Sequence, residues 1–356
     1  MVETININNY KSIVDLTLEL GRFNVIIGTN GSGKSNILEA ITVASASHQR
    51  KLDTEFLLNR NVRVTEPFFM TNAFDDVERN DGHMYYVVIG NDGQYYNIGF
   101  NLIYYEKTKT WINLLEGSVL RANNVMNQHG MNPFAAVVEE FASFLTYRPV
   151  ENLLREVKDS PIYPLGIRGE GLMQYLKTIS TNEDYRELFL KINEGLRMLD
   201  WFDGFNIPDG LLSNEYKLSI GDKFLKDSLH YFDQRSTNEG FLYLLFFLTL
   251  FNSKDTPQFF AVDNIETSFN PGLCQNLTKY LVKTTKENDK QVILTTHNPF
   301  VLDGMDLSDD EIRLFVCRRD IDGHTKIERV KYREDRKMSL SELWMSGLIG
   351  ALPDNF

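Results

Sequence analysis

The chain has 356 residues, of which 42% are hydrophobic and 24% charged, with a net charge of −12 and a pI near 5.1. This describes a globular protein with room for one large domain, or for a core domain carrying an insertion. It excludes a surface coated for nucleic acid, although a local basic groove stays possible, and the two distant cysteines in apolar segments, Cys274 and Cys317, offer neither a disulfide framework nor a metal cluster.

Residues 3–20 predict two strands, ETININNY and IVDLTLEL, with Lys11 and Ser12 between them. The apolar run Phe23–Ile27 then leads into GTNGSGKS at Gly28–Ser35, and a helix-like NILEAI follows. This strand–loop–helix unit matches the phosphate-binding pattern G-x-x-x-x-G-K-[ST] at every fixed position. Gly28, Gly31 and Gly33 let the backbone turn tightly enough for successive N–H groups to face one phosphate chain. The N-terminus of the following helix adds partial positive charge. Lys34 can reach the β- and γ-phosphates, and Ser35 offers a hydroxyl to Mg²⁺. The expected ligand is a nucleoside triphosphate.

From about residue 62 to 116, runs such as MYYVVIG, QYYNIGFNLIYYE and TWINLLE predict an antiparallel sheet, with Asp92-Gly93 as a hairpin turn. Residues from about 131 to 200 read as helical, and 201–232 as short strands and turns. Phe241–Phe251 is an unbroken apolar run of 11 residues, too short for a bilayer span and suited to a buried core helix. The strand QFFAVD, a helix over about 271–287, the strand QVILTTH and a hairpin over 313–332 around Asp322-Gly323 complete the pattern. No repeat and no sustained heptad is present, so no long coiled-coil arm is expected. With no N-terminal signal pattern, a soluble cytoplasmic protein without membrane contact is expected.

Three further features bear on chemistry. Asp263 ends an apolar strand, where a carboxylate beside a phosphate loop holds Mg²⁺. His297 ends the next strand, where it can sense a γ-phosphate. Asn238, Glu239 and Gly240 open the apolar helix, either as a plain cap or as an anion-binding helix N-terminus facing a neighbour's γ-phosphate.

Taken together, NYKSIVDLTLEL–FNVIIGTNGSGKSNILEA, the STNEG–helix, FFAVDNIE and LTTHNP resemble the ABC-type ATPases of the SMC/RecF/OLD group. Those blocks cover about residues 3–44 and 234–318 and fall where that group has its Walker A, signature, Walker B and switch-histidine motifs. The resemblance is nearest to stand-alone AAA-type ATPases encoded beside nucleases or toxins in anti-phage systems such as PARIS, Septu and some retrons. The closing LSELWMSGLIGALPDNF is also similar to the ends of such proteins.

This resemblance implies an α/β P-loop NTPase fold, an ABC-type ATPase head with a mixed sheet. The head would be split into residues 1–50 and 233–356 around an inserted β and helical region, 51–232. It implies ATP and Mg²⁺ as ligands, with Gly28, Asn30, Gly31, Ser32, Gly33, Lys34, Ser35 and Asn36 in the nucleotide cradle and Lys11 and Ser12 close to it. Ser35 and Asp263 would hold the metal. Asn238, Glu239 and Gly240 would reach a partner's ATP, in a homodimer or higher homo-oligomer built as an ATP sandwich. Ser268, Phe269 and Asn270 would lie at the dimer seam, and no residue is assigned to the family's glutamine loop. OLD enzymes continue into a TOPRIM-type nuclease domain. This chain stops at Phe356, so a separate effector, a nuclease or toxin, is expected.

Two departures stand out. Asn238 replaces the usual signature serine. Asn264 follows Asp263 where the family usually has its catalytic glutamate, and an asparagine can position water but cannot accept its proton. Glu266 is the nearest carboxylate, and strand pleating would put it on the face of Asn264 only if the strand continued. The catalytic set implied is therefore Asp263, Asn264, Glu266 and His297, with slow turnover. The leading functional expectation is an ATP-gated sensor or scaffold in phage defence. A RecF- or SMC-like repair ATPase that binds DNA directly is the alternative, and a transporter's energising subunit is third.

Overall fold

A computed structural model describes residues 1–74, 83–91, 95–105, 107–108, 110–114, 119–120, 133–156, 162–226, 231–335 and 337–352. The expected turn at Asp92-Gly93 and the last four residues lie outside these.

The chain opens with strands β1 (Val2–Tyr10), β2 (Ile13–Glu19) and β3 (Phe23–Ile27), then helices α1 (Lys34–His48), α2 (Thr54–Leu58) and α3 (Pro67–Met70). Strands β4 (Met84–Asn91), β5 (Tyr95–Tyr105), β6 (Thr110–Asn113) and β7 (Val119–Leu120) follow. Next come α4 (Pro133–Ala142), β8 (Leu145–Tyr147), α5 (Glu151–Arg155), α6 (Leu172–Ser180), α7 (Arg186–Leu196), β9 (Phe202–Asn206) and β10 (Ser219–Asp222). The last part holds α8 (Glu239–Asn252), β11 (Phe259–Val262), α9 (Pro271–Glu287), β12 (Gln291–Thr295), β13 (Ile312–Arg319), β14 (Thr325–Val330) and α10 (Leu340–Met345).

Two large sheets result. The central one runs β14-β13-β3-β12-β11-β8. Strands β13, β3, β12, β11 and β8 are parallel, and β14 returns antiparallel along the edge. The other is antiparallel, in the order β2-β1-β4-β5-β6, with β7 also paired to β5. The antiparallel strands after α3 begin at Met84, later than the aromatic composition from residue 62 suggested; α3 occupies part of the difference. The helical reading of 131–200 is interrupted by β8, a three-residue edge strand too short to show a period of its own.

Why the central strands read as continuous apolar runs is clear from their two faces. Phe23, Val25 and Ile27 of β3, Phe260 and Val262 of β11, and Leu314 and Val316 of β13 point into one core with α6 to α9. Ile26, Phe259, Ala261, Ile293 and Phe315 alternate into a second core, shared with α1 and the antiparallel sheet. Both faces are covered, so no position along these strands can be polar without a partner. Helix α1 is buried almost all round, which its small residues Ala40, Ala44 and Ala46 permit.

The segment 51–232 is woven into both sheets: β4 pairs with β1, and β8 pairs with β11. Buried amides tie the layers at the base. Gln291 accepts from Val2 N at 3.0 Å and donates to Val2 O at 2.6 Å and Gly21 O at 2.8 Å. Asn24 similarly accepts from Gly21 N and donates to Gly21 O and Val292 O.

Replacing Gln291 by Leu would take this partner from Val2 N and Val2 O, while Gly21 O keeps Asn24, and each buried group left unpaired costs roughly 1–3 kcal/mol of desolvation. Urea denaturation of Gln291→Leu should therefore show a loss of roughly 2–4 kcal/mol, since some relaxation recovers part of the cost. An unchanged midpoint would contradict the bridging role.

Candidate functional site

The glycine loop sits where β3 hands over to α1, at the carboxyl ends of the parallel strands, the expected place for a ligand in such a sheet. Gly31 has φ of 78° and Gly33 of 113°. Two of the glycines answer to packing as well as to turning. A Cβ on Gly28 would lie 2.2 Å from Cys317 O, and one on Gly33 would lie 2.1 Å from Thr325 Oγ1. The β13–β14 hairpin thus presses directly on the loop, which no motif in the sequence announced.

A chain of hydrogen bonds joins them. Asn36 Nδ2 donates to Ser12 Oγ at 2.6 Å, Ser12 and Thr325 hydroxyls lie 2.7 Å apart, and Thr325 Oγ1 donates to Ser32 O at 3.0 Å. Ser12 therefore braces the loop from the β1–β2 turn. Lys11 is not among the residues that line the cleft; it pairs with Glu39 at 2.6 Å and donates to Arg63 O at 2.9 Å.

Lys34 Nζ donates to Gly28 O at 2.8 Å and Thr29 O at 3.0 Å. Burial pulls its pKa below the ordinary lysine value, opposed by Cys317, Asp263 and Glu266. Ser32 Oγ is buried beside it with no hydrogen-bond partner. An orphaned hydroxyl, a lysine parked on carbonyls and the first turn of α1 all suit an incoming polyphosphate.

Asp263 follows the end of β11, with Oδ1 accepting from Thr295 Oγ1 at 2.5 Å. The same threonine oxygen accepts from Asn264 N at 3.0 Å. Ser35 and Asp263 share one wall of the site. Their hydroxyl and carboxylate oxygens are the hard donors that Mg²⁺ takes, and the ion would neutralise phosphate charge there.

The strand does not continue past Asp263. Asn264 has φ of 60°, a left-handed conformation that asparagine tolerates better than most residues. Pleating therefore does not set Glu266 beside Asn264. Instead Glu266 Oε1 accepts from His297 N at 2.9 Å, fixing the turn that carries the histidine, and its Oε2 is buried without a partner. Burial, then the nearby Lys34 charge, hold the His297 pKa below its ordinary value, so the ring is neutral at pH 7.

The cleft brings together Asn30, Gly31, Ser32, Gly33, Lys34, Ser35, Asn36, Asp263, Asn264 and His297. It also gathers three arginines the sequence reading did not single out: Arg63, Arg148 and Arg319. Arg63 is held by Glu39 at 2.5 Å and by Asn36 Oδ1 at 2.7 Å, while Arg319 donates to Gly31 O at 2.9 Å and to Gly323 O. None lies in a recognisable motif, so only the fold reveals them.

Asn238, Glu239 and Gly240 lie elsewhere. They line a separate hollow with Leu199, Trp201, Ser268 and Asn270. Asn238 Oδ1 caps α8 by accepting from Phe241 N at 2.9 Å, and Ser268 Oγ donates to Glu239 Oε2 at 2.8 Å. In one copy of the chain the hollow forms no part of the cleft wall.

A parallel sheet with a glycine loop after β3, a carboxylate after β11, the next strand but one, and a histidine after β12 between them defines an ABC-type P-loop ATPase head. The chain belongs to the RecF/RecN/SMC N-terminal domain family, whose model matches residues 1–319. No curated protein matches it. Among solved structures it is similar to an Smc head bound to the C-winged helix domain of ScpA, at 13% identity and TM-score 0.61, covering 95% of this chain and 99% of that one. The SMC head domain from Thermotoga maritima gives 16% identity and 0.51, over 93% and 99%. The Pyrococcus furiosus Smc head with an extended coiled coil, bound to the C-terminal domain of ScpA, gives 12% and 0.60, over 98% of both chains. At these identities the likeness is one of fold.

Lys34→Ala removes an ammonium whose charge-assisted bonds to phosphate contribute roughly 1.5–3 kcal/mol each. Titration calorimetry should show ATP affinity falling at least about tenfold; unchanged binding would refute the placement of the phosphates.

Proposed function

We propose that this protein is an ATP-gated homodimeric switch, slow to hydrolyse its nucleotide, that serves as sensor or scaffold for a separate effector protein, a nuclease or toxin, in anti-phage defence. The observation that carries the dimer is the separation of two half-sites. The phosphate loop, Ser35, Asp263 and His297 line one cleft, while Asn238–Gly240 and Ser268 line another hollow on the same chain. A two-fold arrangement would bring each cleft against the partner's hollow, so that ATP is sandwiched between them. The family membership supports the ATPase reading. The resemblance of the motif blocks and of the closing segment to defence ATPases supports the effector.

Slow turnover follows from Asn264. Water in the cleft would meet an amide where a carboxylate would take its proton, and Glu266, whose Oε1 accepts from the His297 backbone, is not among the residues that line the cleft. A long-lived ATP-bound dimer suits a device that must hold an effector until triggered. The family's RecF and SMC members favour one second reading, a head that clamps DNA directly. Duplex DNA binding with a marked salt slope would support that reading over the effector scaffold.

Gly240 faces the open hollow, and a Cβ there would meet Ser268 O at 3.3 Å and Asn238 Oδ1 at 3.4 Å. Gly240→Arg should thus fit the single chain with a small adjustment, leave ATP binding intact and abolish ATP-driven association in light scattering. Association equal to wild type would reduce Asn238–Gly240 to a helix cap.

Asn264→Glu tests the rate. The left-handed backbone there costs a glutamate about 1–2 kcal/mol, so a melting curve accompanies the assay. Wild-type turnover should lie below the roughly 1–10³ s⁻¹ common for enzymes. The glutamate should speed it and shorten the life of the ATP-bound dimer. An ordinary wild-type rate, lost in Glu266→Gln and unchanged in Asn264→Glu, would overturn this assignment.

A further inference from the structure

Beside the nucleotide cleft lies another hollow, of about 290 Å³, lined by Arg60, Asn61 and Arg168 and by a wall it shares with the cleft. Ser35, Arg63, Arg148 and Asp263 line both, so the hollow opens where the metal and the terminal phosphate would sit. Its lining holds four arginines against two carboxylates, Glu39 and Asp263. Both carboxylates are engaged, Glu39 by Lys11 and Arg63 and Asp263 by Thr295.

Arg60 stands apart in this set. The turn after α2 fixes its backbone: Arg60 N donates to Leu57 O at 3.0 Å and Asn61 N to Leu58 O at 3.1 Å. Asn61, with φ of 62°, donates from Nδ2 to Thr146 O at 3.2 Å. The Arg60 guanidinium lies 3.5 Å from the centre of the Phe56 ring. Its Nε is buried without a hydrogen-bond partner. Burial lowers the Arg60 pKa to about 10 with no carboxylate to raise it again, so the group keeps its charge at pH 7. A desolvated cation without a counter-charge is costly, and an arriving anion relieves that cost. Arg168 brings another guanidinium to the hollow, with its Nε on Asn61 Oδ1 at 3.4 Å. Guanidinium forks fit the oxygens of a phosphate. The space falls below the roughly 300–1,000 Å³ of pockets for drug-sized ligands, so the fitting oxyanion is a small one.

We propose that this hollow is a waiting site for inorganic phosphate, in which Arg60, backed by Arg168, holds the phosphate set free by hydrolysis while ADP is still in the cleft. This rests on the ATPase reading of the cleft. In an ATP sandwich the partner covers the cleft, and a pocket in the chain's own wall lets phosphate leave the reaction centre without parting the dimer. Arg60 acts after the phosphate bond is broken, and no step of hydrolysis needs it.

The test titrates inorganic phosphate by calorimetry into two forms of the chain. One is saturated with Mg²⁺ and β,γ-imido ATP, whose own γ-phosphate fills the loop. The other is nucleotide-free Lys34→Ala, whose loop lacks its main cation. Each should bind one phosphate per chain. Adding Arg60→Gln should weaken that binding at least about tenfold in both. Arg60→Lys should recover part of it. Arg186→Gln, which removes an exposed guanidinium at the start of α7, should match wild type. Thermal melts confirm folding, and phosphate should raise the midpoint of wild type but not of Arg60→Gln. In turnover with ATP, added phosphate should lower kcat with KM unchanged, and Arg60→Gln should need at least about tenfold more of it.

No phosphate binding in the presence of the analogue, equal binding in Arg60→Gln, or an equal loss in Arg186→Gln would each overturn the site. Inhibition that more ATP relieves would place the phosphate in the glycine loop instead. Phosphate that binds but leaves turnover untouched comes from solution alone and overturns the waiting role. A chain that binds neither ATP nor the analogue overturns the ATPase reading, and the Lys34→Ala titration then still decides on Arg60.

Discussion

Helix α8 imposes the strongest demand on this fold. Every residue from Phe241 to Phe251 is buried, so apolar surface must surround the helix on all sides. The sheet supplies one side: Phe251 packs on Phe260 and Phe246 on Tyr147. Phe241 meets Trp201 and Phe202 across from it, and Phe247 meets Phe269. Helix α7 comes so close that a Cβ on Gly195 would lie 2.6 Å from Leu248 Cδ2. The described elements from α5 to β9 therefore contribute to the apolar wrapping of α8. Once α8 is fixed, its capped N-terminus at Asn238 emerges at the surface, and the strands it packs against carry their functional ends to the cleft.

The cleft itself is assembled from distant pieces that brace one another. The β13–β14 hairpin closes on the glycine loop, the β1–β2 turn reaches it through Ser12, and Thr295 ties Asp263 to Asn264. Each contact is a small polar or backbone group meeting another at close range. At Gly28 and Gly33 this close approach adds to a backbone conformation that already favours glycine.

The sequence made the fold's central unit readable because strand, loop and helix were contiguous and the apolar runs at β3, β11 and β12 were too long and too pure for anything but a doubly covered sheet. It also made Lys34, Ser35, Asp263 and His297 readable, since each ends or follows a recognisable element. Strand β8 was not readable: three residues between helical segments carry no periodicity, and its edge place depends on pairing with β11 across more than a hundred residues of chain. Arg63, Arg148 and Arg319 were hidden for the same reason, as isolated cations become a cluster only once the chain is folded. Glu266 shows the limit from the other direction. Its spacing from Asn264 fitted a shared face, but the left-handed turn at Asn264 broke the strand and sent the carboxylate to the His297 backbone.

Lys34 has one further consequence. Its ammonium donates to two carbonyls of its own loop, and these carbonyls compete with phosphate oxygens for the main cation of the cradle. Entry of an anion is an exchange reaction, in which Lys34 must surrender Gly28 O and Thr29 O before it can accept phosphate oxygens. A singly charged anion returns little more than the carbonyls gave. A polyphosphate returns more, because several charges and acceptors arrive together. By that exchange the loop should favour polyphosphates over single small anions.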